Sequence, residues 1–440
     1  MTIAFLTLFF GLITGPYPVE LAVNGPVASV EMLIDGRSVG RLQRPPWKTE
    51  IDFGKDLLPH EVVARALDAE GREVGRAQEW ANLPHPLEKV DILLENEPGG
   101  TPRAARVVWT NLRGEKPLST KLIFDGLPVP LDASGRAPLP PHDFKSLHVL
   151  TAEVEFSALR LVRTDVAYGG EYGSEISTEL TAVPVRVRRG KLAGPEKLGG
   201  WFNAGGQPVA VAAVEEGPAQ LFVVRSPEAR EIAGKLGTKG FGARTSRLMG
   251  LGKEHQVRFL FPFPLRFESS SGLTDLFEFS PPFIASQGGF PLLVEGVFRR
   301  SIPGVGGQGL LVPKRRIADA VAVAGLAATT ENRRRAVLLV ISGNETDESG
   351  YDPQTVRQFL AALRVSLFVW CLEKPAPGSA MAAWGECADV ATARDLSNAV
   401  GRIRDELDSQ RIVLVDGRHL PASIALSPAA DGIELVGPSS

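Results

Sequence analysis

Cysteine is nearly absent from this chain, with only Cys371 and Cys387 among 440 residues. That excludes a disulfide-rich scaffold and a zinc site made of cysteine alone, which needs three or four thiolates, and it leaves room for one disulfide. Histidine is scarce too. His60, His85, His142, His148, His255 and His419 show no metal-ligand spacing and no Gly-x-Ser-x-Gly elbow to serve. An excess of one charge is also missing: a formal net charge of −3 gives no global field for nucleic acid or an acidic membrane. The basic clusters Arg299-Arg300, Lys314-Arg315-Arg316 and Arg333-Arg334-Arg335 fall beside predicted element ends, as solvated termini do. The amino-terminal apolar run, Ile3 to Ile13, is too short to span a bilayer but has the length of a signal-peptide core. It lacks a basic n-region, and Gly15-Pro16 is a poor cleavage site. Residues 1–15 are read as a signal peptide or anchor of an exported protein, periplasmic or extracellular, with a buried first strand as the alternative.

What is present is ordinary globular composition, 44% hydrophobic and 22% charged, at a length that suggests about three domains. From Val19 to Leu83 short runs alternate apolar and polar residues between turn signals at Asn24-Gly25, Asp35-Gly36, Pro45-Pro46 and Glu70-Gly71-Arg72. This predicts a small antiparallel sandwich over 16–86. The pattern then recurs. Lys121-Leu122-Ile123-Phe124-Asp125-Gly126 matches Glu31 to Gly36, and His148 to Val154 matches His60 to Ala66 at nearly the same spacing, so 87–187 reads as a second, divergent copy. The first copy resembles bacterial immunoglobulin-like modules, which implies a spacer or binding role. His60 and His148 are expected to make a common hydrogen bond at the start of a strand. Residues 188–206, rich in Gly and charge, read as a linker.

Beyond it the period changes, and strands alternate with helices. Gln220 to Val224 reads as a buried strand, and Ser226-Pro227-Glu228 opens a helix to Leu236. Val257 to Phe263 and Leu273 to Phe279 are expected strands, and Ile317, Ala320, Val321, Ala324 and Ala327 stripe a helix. Ala336 to Ile341, the cap Asp352 with Pro353, the stripe Val356, Phe359, Leu360 and Leu363, and Val365 to Leu372 form one βαβ unit. Trp384 to Val390 reads as a strand, and Leu396, Val400, Ile403 and Leu407 as a last helix. The fold class is therefore multidomain: N-terminal all-β immunoglobulin-like sandwiches, then a C-terminal α/β doubly wound, Rossmann-like domain over 207–420, with a strand and tail over 421–440.

The segments VLLVISGNETDESGYDPQTVRQFLAALRVSLFVWCL and GECADVATARDLSNAVGRIRDELDSQ, with Ile412-Val413-Leu414-Val415 after them, resemble a von Willebrand factor type A (VWA) domain. The resemblance implies a Mg²⁺ site on three loops, the first carrying Asp-x-Ser-x-Ser, the second Thr and the third Asp. Here Arg225 stands for the first acid, beside Ser226, and a guanidinium has no lone pair for a cation. Gln308 stands for the Thr. In the third loop, Ser342-Gly343-Asn344, Gly343 takes the acid's place. No metal or other cofactor is expected at the usual position. Arg225 is expected to substitute for the ion by pairing with Glu345 or Asp347. The alternative is a cation site rebuilt from Glu345, Asp347 or Glu348. In the same fold Cys371 and Cys387 fall on neighbouring strands, to pair if their Cα atoms approach within about 7 Å and otherwise to remain two buried thiols.

Two other motifs carry little. Gly304 to Gly309 fits Gly-x-Gly-x-x-Gly, but no strand precedes it and no helix follows at once, so a loop is the reading. Ser342 ends a strand as nucleophiles do, without a base that the sequence nominates. The expected function is a non-enzymatic, exported protein-protein interaction or scaffold protein whose partner is an unidentified protein, with no nucleic acid and no membrane span beyond residues 1–15. The alternative is a metal-dependent adhesion or hydrolytic activity in the loop 342–352.

Overall fold

Strands in the N-terminal module are β1 (Thr2–Phe5), β2 (Pro16–Asn24), β3 (Ser29–Ile34), β4 (Arg37–Leu42), β5 (Lys48–Asp52), β6 (His60–Leu67) and β7 (Glu73–Ala81). The β3–β4 hairpin closes through Asp35 (φ 50°) and Gly36 (φ 76°), both left-handed, the backbone that a two-residue turn between right-twisted strands requires. Along β3 the alternation places Val30, Met32 and Ile34 in the core. Sheets β1-β2-β5 and β4-β3-β6-β7 face each other across that core. In this computed structural model the described residues run from 2 to 437, leaving aside 8, 10, 25–26, 84–87, 97–101, 112–115, 126, 143–147, 158–159, 169–179, 189–191, 227–249, 252–254, 270–271, 278, 285–313, 331–332 and 344.

Residues 85–179 form a separate unit. Its strands are β8 (Glu88–Asn96), β9 (Pro102–Asn111), β10 (Ser119–Phe124), β11 (Leu127–Val129), β12 (Arg136–Pro138), β13 (His148–Ser157) and β14 (Arg160–Tyr168). Sheets β12-β9-β8 and β11-β10-β13-β14 enclose Ile92, Val107, Leu122, Phe124, Leu150 and Val154. The order β11-β10-β13-β14 is that of β4-β3-β6-β7, so the internal repeat is a repeat of structure.

The remaining residues, 180 onward, belong to the same unit as the first module. They begin with β15 (Leu180–Val187), β16 (Phe202–Ala204), β17 (Gln207–Val209) and β18 (Val211–Glu215). Next come β19 (Gln220–Arg225), β20 (Gln256–Leu260), β21 (Leu265–Ser269), β22 (Gly272–Leu276), β23 (Phe283–Ile284), α1 (Ile317–Ala328), β24 (Arg335–Ile341), α2 (Pro353–Ala362), β25 (Ser366–Cys371), β26 (Ala388–Asp389) and α3 (Ala393–Ser409). The chain closes with β27 (Gln410–Asp416), β28 (Ile424–Leu426) and β29 (Ile433–Leu435). A six-stranded sheet runs β23-β20-β19-β24-β25-β26, parallel except for β23. Every residue of β24 is buried, as a central strand covered on both faces demands. One face packs on α3 through Leu396, Val400, Ile403 and Leu407, the other on α1 and α2 through Val321, Ala324, Val356 and Phe359. Gly325 lets the two helices close up: a Cβ there would lie 2.7 Å from Leu360 Cδ1. The expected C-terminal parallel sheet with helices beside it is therefore present.

Several boundaries differ from those expected. Residues 188–206 are not a linker, because Leu198 and Phe202 are fully buried and β16 pairs with β17 and β28. The second sandwich does not extend to 187, since β15 pairs antiparallel with β27 and β29. Nor does the α/β domain span 207–420. β18 and β27, with Ile412 to Val415, join a small sandwich, β18-β27-β15-β29 against β17-β16-β28, that brackets the parallel sheet in sequence. Within 384–390 only Ala388–Asp389 is strand, and Ala380–Trp384 is a 3₁₀ turn that buries Met381 and Trp384. Within residues 1–15, β1 pairs with β2, and Phe9 and Ile13 fill the first core, as the alternative of a buried first strand has it. Leu57 of the same module inserts among the α1 and α2 side chains, and Tyr351 Oη donates to Leu12 O at 3.2 Å.

Candidate functional site

Numbered by order of appearance within the parallel sheet, the strands run 3-2-1-4-5-6, and the order reverses between β19 and β24. In open sheets of this type ligands sit at the carboxyl ends of the strands flanking that switch point. The register pairs Arg225 with Val340, so Ser226 falls beside Ile341, just before Ser342 and Gly343 at the same carboxyl end of the sheet. Ser226 N donates to Val340 O at 2.9 Å. The four expected residues are therefore brought to one edge, and both Arg225 and Ser226 are buried. Gln308, Asn344, Gly304 to Gly309, His85, Arg299-Arg300 and the expected helix from Pro227 to Leu236 lie outside the described residues.

The loop after β24 is built by hydrogen bonds to its own acids. Glu345, itself buried, accepts from Ser342 N through Oε1. Gly343 takes φ 110°, and a Cβ there would stand 2.6 Å from Glu373 O, so the close approach of the loop to the bend after β25 admits only glycine. Asp347 turns away from the switch point. Its Oδ1 accepts from Ile317 N (2.9 Å) and its Oδ2 from Ala318 N (3.1 Å), with Ser349 N and Oγ also on Oδ1 at 3.0 and 2.6 Å. Arg316, at the N-cap of α1, has no side-chain oxygen to offer, and Asp347 supplies the cap from 30 residues on.

The helix returns the contact. Asp319, buried in the first turn of α1, accepts from Gly350 N (3.0 Å) and Tyr351 N (3.2 Å) and pairs with Arg316. The sequence reading missed Asp319. Its signal was a single acid among the apolar residues of IADAVAVAG, a placement that a buried helix face tolerates only with partners. Asp352 caps α2 as expected, accepting from Thr355 N (3.0 Å) and Thr355 Oγ1 (2.7 Å), and the Thr355 bonds hold its carboxyl below the ordinary value. Burial pushes the Tyr351 phenol up.

This donor set does not fit a divalent ion of the kind the resemblance implies. Mg²⁺ wants several carboxylate, hydroxyl or water oxygens in octahedral array. Arg225 brings a cation to the place of the first acid, Gly343 brings no side chain to the third, and Asp347 already accepts four hydrogen bonds elsewhere. Among the described residues no group of three or more His, Cys, Asp and Glu is placed to hold a metal. The expected pairing of Arg225 with Asp347 is corrected on the same ground, the carboxylate being held at the α1 N-terminus.

At the far end of β25, Cys371 and Cys387 are joined in a disulfide with Cα atoms 5.8 Å apart. The bond ties the buried end of β25 to the residue before β26. Between α2 and α3, beside these strands, lies a cavity of about 290 Å³ lined by Arg357, Leu360, Phe368, Trp384, Glu386 and Arg402 among others.

No family model matches the chain, and no curated protein matches it in sequence. Among solved structures it is similar to the fibronectin(III)-like modules of Clostridium thermocellum CbhA, at 13% identity and TM-score 0.16 over 18% of this chain and 94% of that one. It is also similar to the central fibronectin-III array of RIM-binding protein, at 12% identity and TM-score 0.22 over 44% of this chain and 80% of that one. A third is Bacteroides ovatus SGBP-B, solved with a mixed-linkage heptasaccharide, at 14% identity and TM-score 0.13 over 47% of this chain and 57% of that one. With scores of that size these are local likenesses among sandwich modules, and they say nothing of what this chain binds.

Proposed function

We propose that the chain is a non-enzymatic protein-binding or scaffold protein of an extracytoplasmic compartment, in which sandwich modules accompany a VWA-like domain that works without a divalent ion. The observation that carries the reading is the commitment of Asp347 to the N-terminus of α1. The acid best placed to rebuild a cation site serves instead as a helix cap, and a guanidinium stands at the end of β19. A rigid, metal-free loop edge on a doubly wound sheet suits recognition of a protein surface. The disulfide supports the extracytoplasmic part, because such bonds persist where the surroundings are oxidising.

The test is a thermal melt of the full chain in EDTA and then in excess Mg²⁺, Mn²⁺ or Ca²⁺. An unmoved melt is expected, because an ion that binds only the folded state raises its stability in proportion to occupancy. A rise of several degrees with one ion overturns the metal-free reading and restores the alternative of a metal-dependent activity in the loop 342–352.

A further inference from the structure

Arg357, Leu360 and Ala361 stand at helical spacing on α2, so they share one face of it. Together with Phe368 of β25 they line the cavity of about 290 Å³, near the lower end of the size range of ligand pockets. Trp384, at the end of the 3₁₀ turn, completes that wall and packs into the core of α1 and α2. Leu360 and Trp384 are buried and Phe368 is half-buried, so the surface offered is largely apolar.

Two donors in this wall have no partner among the described residues. The half-buried guanidinium of Arg357 makes no ion pair or hydrogen bond there. Its head is nonetheless placed: it lies against the backbone of Gly385, where a Cβ would stand 2.9 Å from Nη1 and 3.0 Å from Cζ. Gly385 follows Trp384 directly, so the guanidinium is seated beside the residue that carries the second donor. Trp384 is 2% exposed, and its indole N–H is buried without an acceptor. An unpaired buried donor is rare in a folded protein and calls for an explanation. Glu386, the acid of the lining, is exposed and does not pair with Arg357 among the described residues. Arg402 adds a second cation from α3, on the other face of the sheet, so two cations against one acid leave the lining net positive.

We infer that this cavity binds a small carboxylate with an apolar body, whose oxygens accept from Arg357 and from the indole N–H of Trp384 while the body packs on Leu360 and Phe368. Apolar walls with a few convergent polar groups are the usual make-up of a small-molecule site. The bond between guanidinium and carboxylate is charge-assisted and fixes the ligand's orientation, and the apolar body is what separates this ligand from a simple anion. Arg402 contributes charge only and touches nothing in this arrangement. The site shares no residue with the metal-free loop edge, and it holds whether or not the chain is a protein-binding scaffold.

The probe is 3-phenylpropionate, titrated into the full chain with its tryptophan indoles labelled by nitrogen-15. The Trp384 resonance is the one that Trp384→Phe removes. A saturable shift of that resonance is expected, with the other indoles unmoved. Binding should be weaker by about tenfold or more for the neutral 3-phenylpropionamide and for Arg357→Gln, the loss of one hydrogen bond to a charged group. Ala361→Leu, which fills the cavity from α2, should weaken it as well. Arg357 is partly exposed, so Gln leaves the helix intact, and the amide tests the same contact on the unaltered chain. An unmoved Trp384 resonance, equal binding of the amide, equal binding by Arg357→Gln or by Ala361→Leu, or an equal effect of acetate at the same concentration each overturns the proposal. Failure of the metal-free reading shows separately, as a metal-dependent melt with carboxylate binding intact.

Discussion

The imidazole of His60 stands with Nδ1 2.7 Å from Oδ2 of Asp35, and the relation is repeated in the second module, where His148 Nδ1 lies 2.7 Å from Asp125 Oδ2. In each case the acid occupies a left-handed position in the turn, φ 50° and 48°, and the histidine opens the strand paired beside it. The pair closes the corner between two strands that are separated by more than 20 residues of sequence. Its occurrence at equivalent places marks it as part of the module's construction rather than of a reaction.

The pairing has a consequence for acid stability. Burial works to raise the Asp35 carboxyl, but the His60 hydrogen bond, the Glu61 N–H and the charges of His60 and Arg37 bring it below its ordinary value of 3.8. A carboxyl depressed in the folded state contributes stability that is fully present above the unfolded value and is lost as pH falls through the folded one. Asp35→Asn keeps a residue that tolerates the left-handed turn and loses the charge. It is expected to cost about 1 kcal/mol at neutral pH and to flatten the loss of stability below pH 4. Urea unfolding at pH 7 and pH 3 measures both, and a variant with the wild-type acid dependence would refute the linkage.

The reciprocal clasp of α1 and the acidic loop gives a second expectation. Asp347→Ala strips the first turn of α1 of its cap and is expected to cost about 1–2 kcal/mol. Asp319→Ala leaves Gly350 N, Tyr351 N and Arg316 without their acceptor and is expected to cost about 2–3 kcal/mol. Because both acids hold the same loop to the same helix, the double variant should lose less than the sum of the two. Additive losses in chemical denaturation would show that the contacts act independently.

The corner pair was legible because it repeats. Asp-Gly followed by His at nearly constant spacing is visible in one chain, and the turn chemistry fixes what the Asp-Gly does. The βαβ unit from Arg335 to Cys371 was legible as well, since β24 and β25 are apolar runs and Asp352-Pro353 starts a helix by oxygen cap and ring geometry. The partner of Ile412 to Val415 was not. An apolar run reads alike in a parallel and an antiparallel sheet, and β15, its neighbour, lies on the other side of the whole α/β domain in sequence. The role of Asp347 was hidden for a like reason: its hydrogen bonds go to Ile317 and Ala318, on an element that only the packing of α1 against α2 brings near.

Gly343 tests the switch-point edge directly. Its φ of 110° lies where side chains are strained, and a Cβ would press on a backbone oxygen rather than on a side chain that can turn aside. Gly343→Ala is therefore expected to cost about 2 kcal/mol or more, from strain of about 1–3 kcal/mol at such a φ. Hydrogen exchange at Ser342 and in the loop 345–352 should rise in the variant while α3 keeps its protection. Unchanged exchange in the loop would mean that the bend after β25, at Glu373, yields instead.

The disulfide closes a loop between residues 16 apart in sequence. In the chain-entropy account a crosslink of about 15 residues stabilises by roughly 3 kcal/mol through its effect on the unfolded chain. Within that loop Met381 and Trp384 reach the core shared with α2, so the bond also holds one wall of the cavity between α2 and α3 in place. Reduction of the native chain and Cys387→Ser should lower the denaturation midpoint by similar amounts. A reductant added to Cys387→Ser should then have no further effect. Two thiols that alkylate in the folded, unreduced protein would show that the bond is not formed, and an unchanged midpoint on reduction would show that it does not hold this edge of the sheet.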